Sequence, residues 1–146
     1  MTNAASNSIK GCTCFRLRRV TRRITQHYDA WLADSGLRVT QYSLLSMLIY
    51  CNALSVTALA DKLEMDRTTL TRNLRPLEEA GWVSIAADER DARVRTVHIS
   101  TAGRQVWERA RPLWRAAQDS INTLLGESSV AALHGLLDES LEQLRV

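Results

Sequence analysis

The sequence has little of what marks fibrous, disulfide-stapled or membrane proteins. Only two prolines and six glycines occur in 146 residues, which excludes collagen-like and low-complexity architectures. Cysteine is limited to Cys12, Cys14 and Cys51; an odd set without secretory context is expected to be reduced thiols rather than a disulfide framework. His27, His98 and His134 stand at no metal-ligand spacing from one another or from a cysteine, so no metal is expected, and no cofactor either. No apolar run approaches the roughly 18 residues of a membrane span. The opening MTNAASNSIKGCTCF lacks the apolar core of a signal peptide, so a cytoplasmic protein without membrane contact is expected. No nucleophile and base pair, phosphate loop or carboxylate constellation stands out, and an enzyme is not expected.

What is present is a globular, helix-rich composition, 45% hydrophobic and 24% charged. Net charge is only +3, but its placement is uneven. Lys10, Arg16, Arg18, Arg19, Arg22 and Arg23 all precede the first acid, Asp29. At the other end Asp119, Glu127, Asp138, Glu139 and Glu142 face only Arg145. A basic pole separated from an acidic one is compatible with a polyanionic partner, and equally with a solvated helix face.

Hydrophobic periodicity divides the chain. Residues 1–11 are small and polar and are expected to fray. Phe15, Leu17, Val20, Ile24, Tyr28, Trp31 and Leu32 recur at helical spacing up to Gly36. Thr40 is a candidate cap for a second helix that is apolar almost all round. Ser55 and Asp66 are candidate caps for two short helices that meet across a tight turn, the second stopped by Gly81. Pro76 inside that second helix predicts a bend or weakening near Asn73–Arg75, and Pro112 a kink further on. Trp82–Ala86 and Val94–Ile99 alternate as strands of a hairpin. The charged link ADERDAR between them has nothing to bury and should project as a wing. Two long helices follow, from Thr101 to near Gly126 and from Ser128 to about Leu144. The expected organisation is a mainly α chain with a small β-hairpin wing. Its parts are helices for dimerisation and core over 12–52, a winged helix-turn-helix over 53–100 and C-terminal dimerisation helices over 101–146. The long terminal helices carry more apolar stripe than one subunit covers, which predicts a symmetric homodimer.

At 100° per residue Thr68, Arg72, Arg75 and Glu79 lie opposite the Leu70, Leu74, Leu77 stripe, with Thr71 on the flank. Arginine forks match guanine O6 and N7 in the major groove, threonine suits phosphate or a thymine methyl, and a helix N-terminus favours phosphate. Arg90 and Arg93 on the wing are placed to enter an adjacent minor groove. Asp91 between them is expected to orient one of the two arginines by a charge-assisted hydrogen bond.

At LRVTQYSLLSML, LADKLEMDRTTLTRNLRPLEEAGWV and DERDARVRTVHISTAG the chain resembles the MarR family of bacterial regulators, over about residues 14–120. The resemblance implies a DNA-binding transcriptional regulator, expected to be a repressor, acting as a homodimer on a palindromic double-stranded operator. It implies major-groove contacts from Arg67, Thr68, Thr69, Thr71, Arg72 and Arg75, and wing contacts from Arg93 with Arg90. Ser100 stands where the family usually has threonine. An alternative from another class is a winged-helix module that binds protein instead of DNA.

The resemblance further implies release from DNA by a small aromatic or anionic effector, or by oxidation. Trp31, Tyr42, Met47 and Tyr50 are candidate effector walls, though each also suits an ordinary core. The TCF segment resembles a peroxide-sensing branch of the family, making Cys14 a candidate sensor and Cys12 a candidate resolving thiol. Two residues apart on a regular helix, their side chains would point about 200° apart and could not bridge unless the helix frays there. The plainer reading takes Cys14 and Cys51 as small buried apolar residues.

Overall fold

The computed structural model describes residues 8–145, so the expected frayed segment falls mostly outside the described residues. Its described end, Ile9–Gly11, forms a 3₁₀ turn. Six helices follow: α1 (Thr13–Leu32), α2 (Val39–Cys51), α3 (Val56–Lys62), α4 (Arg67–Glu79), α5 (Thr101–Leu125) and α6 (Glu127–Gln143). Three strands, β1 (Leu54–Ser55), β2 (Val83–Ala87) and β3 (Arg95–Ile99), form an antiparallel sheet in the order β1-β3-β2. The chain is thus mainly α with a small sheet bearing a wing.

Two of the expected caps are in place. Ser55 Oγ accepts from Ala58 N at 3.0 Å, and Asp66 Oδ1 accepts from Thr69 N at 2.8 Å. Each satisfies an otherwise orphaned first-turn amide. Thr40 is not a cap: α2 begins one residue earlier, because Asp29 of α1 accepts from Val39 N at 2.8 Å and Gln41 Oε1 accepts from Arg38 N at 3.0 Å. One of the two acceptors that fix this start, Asp29, lies on another helix, out of reach of a local reading. The expected weakening at Pro76 is absent, since α4 runs unbroken to Glu79. Proline removes the hydrogen bond to the Arg72 carbonyl, and because both residues are exposed, water can take that place. Pro112 likewise lies within an uninterrupted α5.

The core is built where α2, α3, α4 and the sheet meet α1 and α5. Leu32, Leu45, Leu48, Leu59, Leu70, Leu74, Leu77 and Val97 are buried to within 1% of full burial, joined by Val106, Trp107 and Ala110 of α5. Trp107 Nε1 donates to Ser46 Oγ at 2.7 Å, and Tyr28 OH donates to Gln118 Oε1 at 2.6 Å, tying α5 to α2 and α1. Burial holds the Tyr28 and Tyr42 phenols above their usual pKa.

The sheet is joined to α5 at one residue. Ser100 Oγ donates to the Gly81 carbonyl at 2.6 Å and accepts from Gly103 N at 3.0 Å, so the cap of α5 also closes the end of the hairpin. Gly81 takes φ +75°, the left-handed turn that ends α4. Gly103 has another reason to be glycine: an added Cβ would overlap the Trp82 carbonyl oxygen.

Candidate nucleic-acid interface

Leu70, Leu74 and Leu77 anchor α4 with no exposed surface at all. That fixes which side of the helix faces out. Along this side Arg67, Thr68, Thr71, Arg72, Arg75 and Glu78 line an open groove of about 700 Å³, with Ile85 of β2 as its far wall. Five of the six α4 residues expected to contact DNA therefore come together. The sixth, Thr69, is engaged elsewhere: its hydroxyl donates to Asp66 Oδ2 at 2.7 Å while its amide binds Oδ1. Thr69 serves the helix start. These two bonds hold the Asp66 carboxyl below the usual carboxylate range, the backbone bond contributing most. Thr71 Oγ1 donates back to the Arg67 carbonyl at 2.7 Å, which fixes its rotamer and turns its methyl outward from that bond.

The wing is a closed turn. Asp88 N donates to Val94 O at 2.8 Å and Val94 N to Asp91 O at 2.9 Å. Asp88 Oδ1 accepts from Arg90 N at 2.8 Å. Asp91 accepts from Arg93 at three nitrogens, with Nε–Oδ1 at 3.1 Å and Nη2–Oδ2 at 3.2 Å from the side chain and N–Oδ1 at 3.0 Å from the backbone. The Arg93 side chain, followed by its amide, holds the Asp91 carboxyl below its ordinary range. Arg90 and Arg93 are both exposed.

Sequence reasoning missed two parts of the groove. Glu78 was legible, lying three residues after Arg75 and seven after Thr71 on the same helical face. Ile85 was not, because its position depends on how β2 packs against α4. The four candidate effector residues are only partly brought together. Tyr42 is buried, its ring stacked on Trp107 at 6.0 Å and Trp114 at 5.5 Å. Tyr50 is 71% exposed and meets Trp107 edge-on. Met47 receives Cys51 Sγ at 3.7 Å, and Trp31 lies beside His27 on α1. Trp107, Trp114 and Arg111, whose guanidinium sits 5.5 Å from the Trp107 ring centre, were not anticipated. Cys14 is exposed, against the expectation of a buried apolar residue, and Cys12 is also exposed. Cys12 precedes α1 in extended conformation, so the opposed helical directions expected for the pair do not apply. Cys51 is half-buried.

The MarR family profile matches residues 37–94, spanning α2, α3, α4 and most of the wing. The transcriptional activatory protein BadR of Rhodopseudomonas palustris is 32% identical over 120 residues, covering 80% of this chain and 67% of BadR. The chain belongs to the MarR family. The DNA complex of the M. tuberculosis transcriptional regulator MosR superposes with a TM-score of 0.79 at 33% identity, covering 92% of this chain and 99% of MosR. The organic hydroperoxide resistance transcriptional regulator of Bacillus subtilis is 27% identical over 132 residues, covering 90% of this chain and 81% of that one. This MarR-family chain is accordingly a DNA-binding transcriptional regulator and not an enzyme. The reading as a winged-helix module for protein contacts alone gives way to that assignment.

Proposed function

We propose that the chain acts as a homodimer on a two-fold-symmetric operator, with α4 in the major groove and the wing in the adjacent minor groove. The observation that carries this is the α4 groove. Among the described residues Arg67 and Arg72 form no ion pair, so free cationic groups line one open face of the N-terminal half of a capped helix. DNA phosphates complement such a face, and arginine forks complement guanine edges. Dimerisation is supported by apolar surface left open away from the reader: Leu17 and Val20 of α1, Leu124 and Leu125 of α5, and Leu136, Leu137, Leu141 and Leu144 at the end of the chain. Two-fold symmetry then sets two α4 helices about one helical repeat apart, roughly 34 Å. Repression follows where the operator overlaps a promoter; since BadR is named an activator, operator placement decides the sign.

A salt titration of operator affinity tests the reading. A reader that neutralises several phosphates loses affinity with a log-log slope near −0.9 per phosphate. A flat salt dependence, or a monomer by sedimentation, would sink it. For a small aromatic or anionic effector, the exposed Tyr50 and Arg111, both set against the buried Trp107 ring, offer a surface of fitting chemistry near the Tyr42 stack. Such a molecule releases DNA only by preferring a different spacing of the two α4 helices.

A second reading, thiol sensing, is favoured by the exposure of both Cys12 and Cys14 at the start of α1 and by the hydroperoxide-resistance relative. A hydroperoxide would oxidise the Cys14 thiolate to a sulfenic acid and leave as the alcohol. Cys12 would then displace water to form the disulfide. If peroxide leaves operator affinity unchanged in wild type and Cys14→Ser alike, this reading fails.

A further inference from the structure

Both ion pairs formed among the described residues belong to arginines of the proposed DNA face. Arg75 Nε lies 3.0 Å from Glu79 Oε1, and Arg93 is held side-on by Asp91. Both engage the Nε side of the guanidinium. Glu79 engages only Nε of Arg75, so the fork of two terminal nitrogens remains open. Asp91 takes Nε and one N–H of Nη2 of Arg93, a two-point side-on pair that holds the guanidinium from its flank. Bidentate reading of guanine O6 and N7 requires two parallel N–H groups, while a phosphate or minor-groove acceptor requires one.

The Arg75–Glu79 pair is too exposed, at 78% and 67%, to contribute much to stability. An acid on a phosphate-facing helix also weakens non-specific attraction to DNA. Its presence beside Arg75 is therefore unfavourable for both folding and bulk affinity, and what it does supply is orientation. A guanidinium tethered at Nε loses less rotamer freedom on docking, and the tether strengthens as the interface excludes water.

Granted the DNA-facing surface proposed above, we infer that Glu79 is a positioning residue that sets base specificity: it holds Arg75 so that its terminal fork reads a guanine in the major groove. Removing Glu79 should then move discrimination and non-specific affinity in opposite directions. A residue that merely stabilised α4 would lower both.

The test selects a preferred duplex from a randomised pool with the wild-type protein. Affinities are then measured on that duplex, on variants with each guanine replaced by adenine, and on an unrelated duplex. At one guanine the wild type should discriminate about tenfold or more. Glu79→Ala should lose most of that ratio while binding the unrelated duplex more tightly, and Glu79→Gln, which keeps an acceptor oxygen, should restore the ratio. A wild-type ratio at every guanine in Glu79→Ala, or equal loss of affinity on all duplexes, overturns the inference while the surface assignment stands. Unchanged binding in Arg75→Ala overturns both.

Discussion

Single side chains on α4 divide into those that hold the helix and those that face out, and the two groups should respond differently to substitution. Arg72 lines the groove with no acid paired to it, so Arg72→Ala should lower operator affinity by roughly 1 to 3 kcal/mol and blur base preference if it reads a base. Arg93→Ala should weaken binding more evenly across sequences, because the minor groove in which the wing is proposed to lie carries a degenerate base pattern. Competition binding on matched and mismatched duplexes separates the two. Asp66 belongs to the holding group. Its folded pKa lies below the ordinary carboxylate value, so its contribution is complete above about pH 4 and is lost as pH falls through the lower folded value. The gap in melting temperature between wild type and Asp66→Ala should therefore be constant from about pH 5 upward and close in stronger acid; a gap that widens on acidification would contradict the sign. Asp66 and Ser55 were legible as caps because a cap binds an amide three residues away. That Thr69 is turned to Asp66 was not legible, because its place on the helix surface is readable from spacing, whereas the direction of its hydroxyl is not.

At the scale of elements, the junction of sheet and α5 is the most constrained part of the fold. Gly103→Ala would press a methyl group into the Trp82 carbonyl, and the overlap with backbone cannot be relieved by a rotamer change. A loss of about 1 to 3 kcal/mol is expected, of the kind seen for overpacked cores, readable by urea denaturation. Unaltered stability would show that the strand end shifts freely, contrary to the Ser100 bonds that pin it. Helices and hairpin were legible wherever apolar residues repeated over several turns or alternations. β1 was not: it has only two residues, and its pairing of Leu54 with Val97 and Ser55 with Thr96 is defined by a partner forty residues away. The weakening expected at Pro76 is absent for a related reason. Proline forbids one hydrogen bond, but the leucines on the opposite face hold the helix through it.

For the whole molecule, the apolar surface left open on α5 and α6, away from the buried core, carries the proposal of a dimer. Leu124, Leu136 and Leu144 are each more than 60% exposed, a degree of apolar exposure rarely left open over a contiguous patch. Truncation before Glu127 should give monomers by analytical ultracentrifugation, with operator affinity lost although each reader remains folded. A truncated chain that still sediments as a dimer would place the interface elsewhere. The apolar stripes of α1, α5 and α6 made this frame legible in the sequence, and the cationic face of α4 was legible from periodicity. The aromatic stack of Tyr42 with Trp107 and Trp114 was not, because it joins helices separated by some sixty residues. That stack lies along α5, whose 25 residues span about 37 Å from the hairpin junction at Ser100 to the open leucines at its other end. Such a rod is a lever. A tilt of about 5° at the Leu125 end would carry the Thr101 end through roughly 3 Å, about half the width of a B-form minor groove, so with the wing docked as proposed a small event far from DNA would lift it out of register.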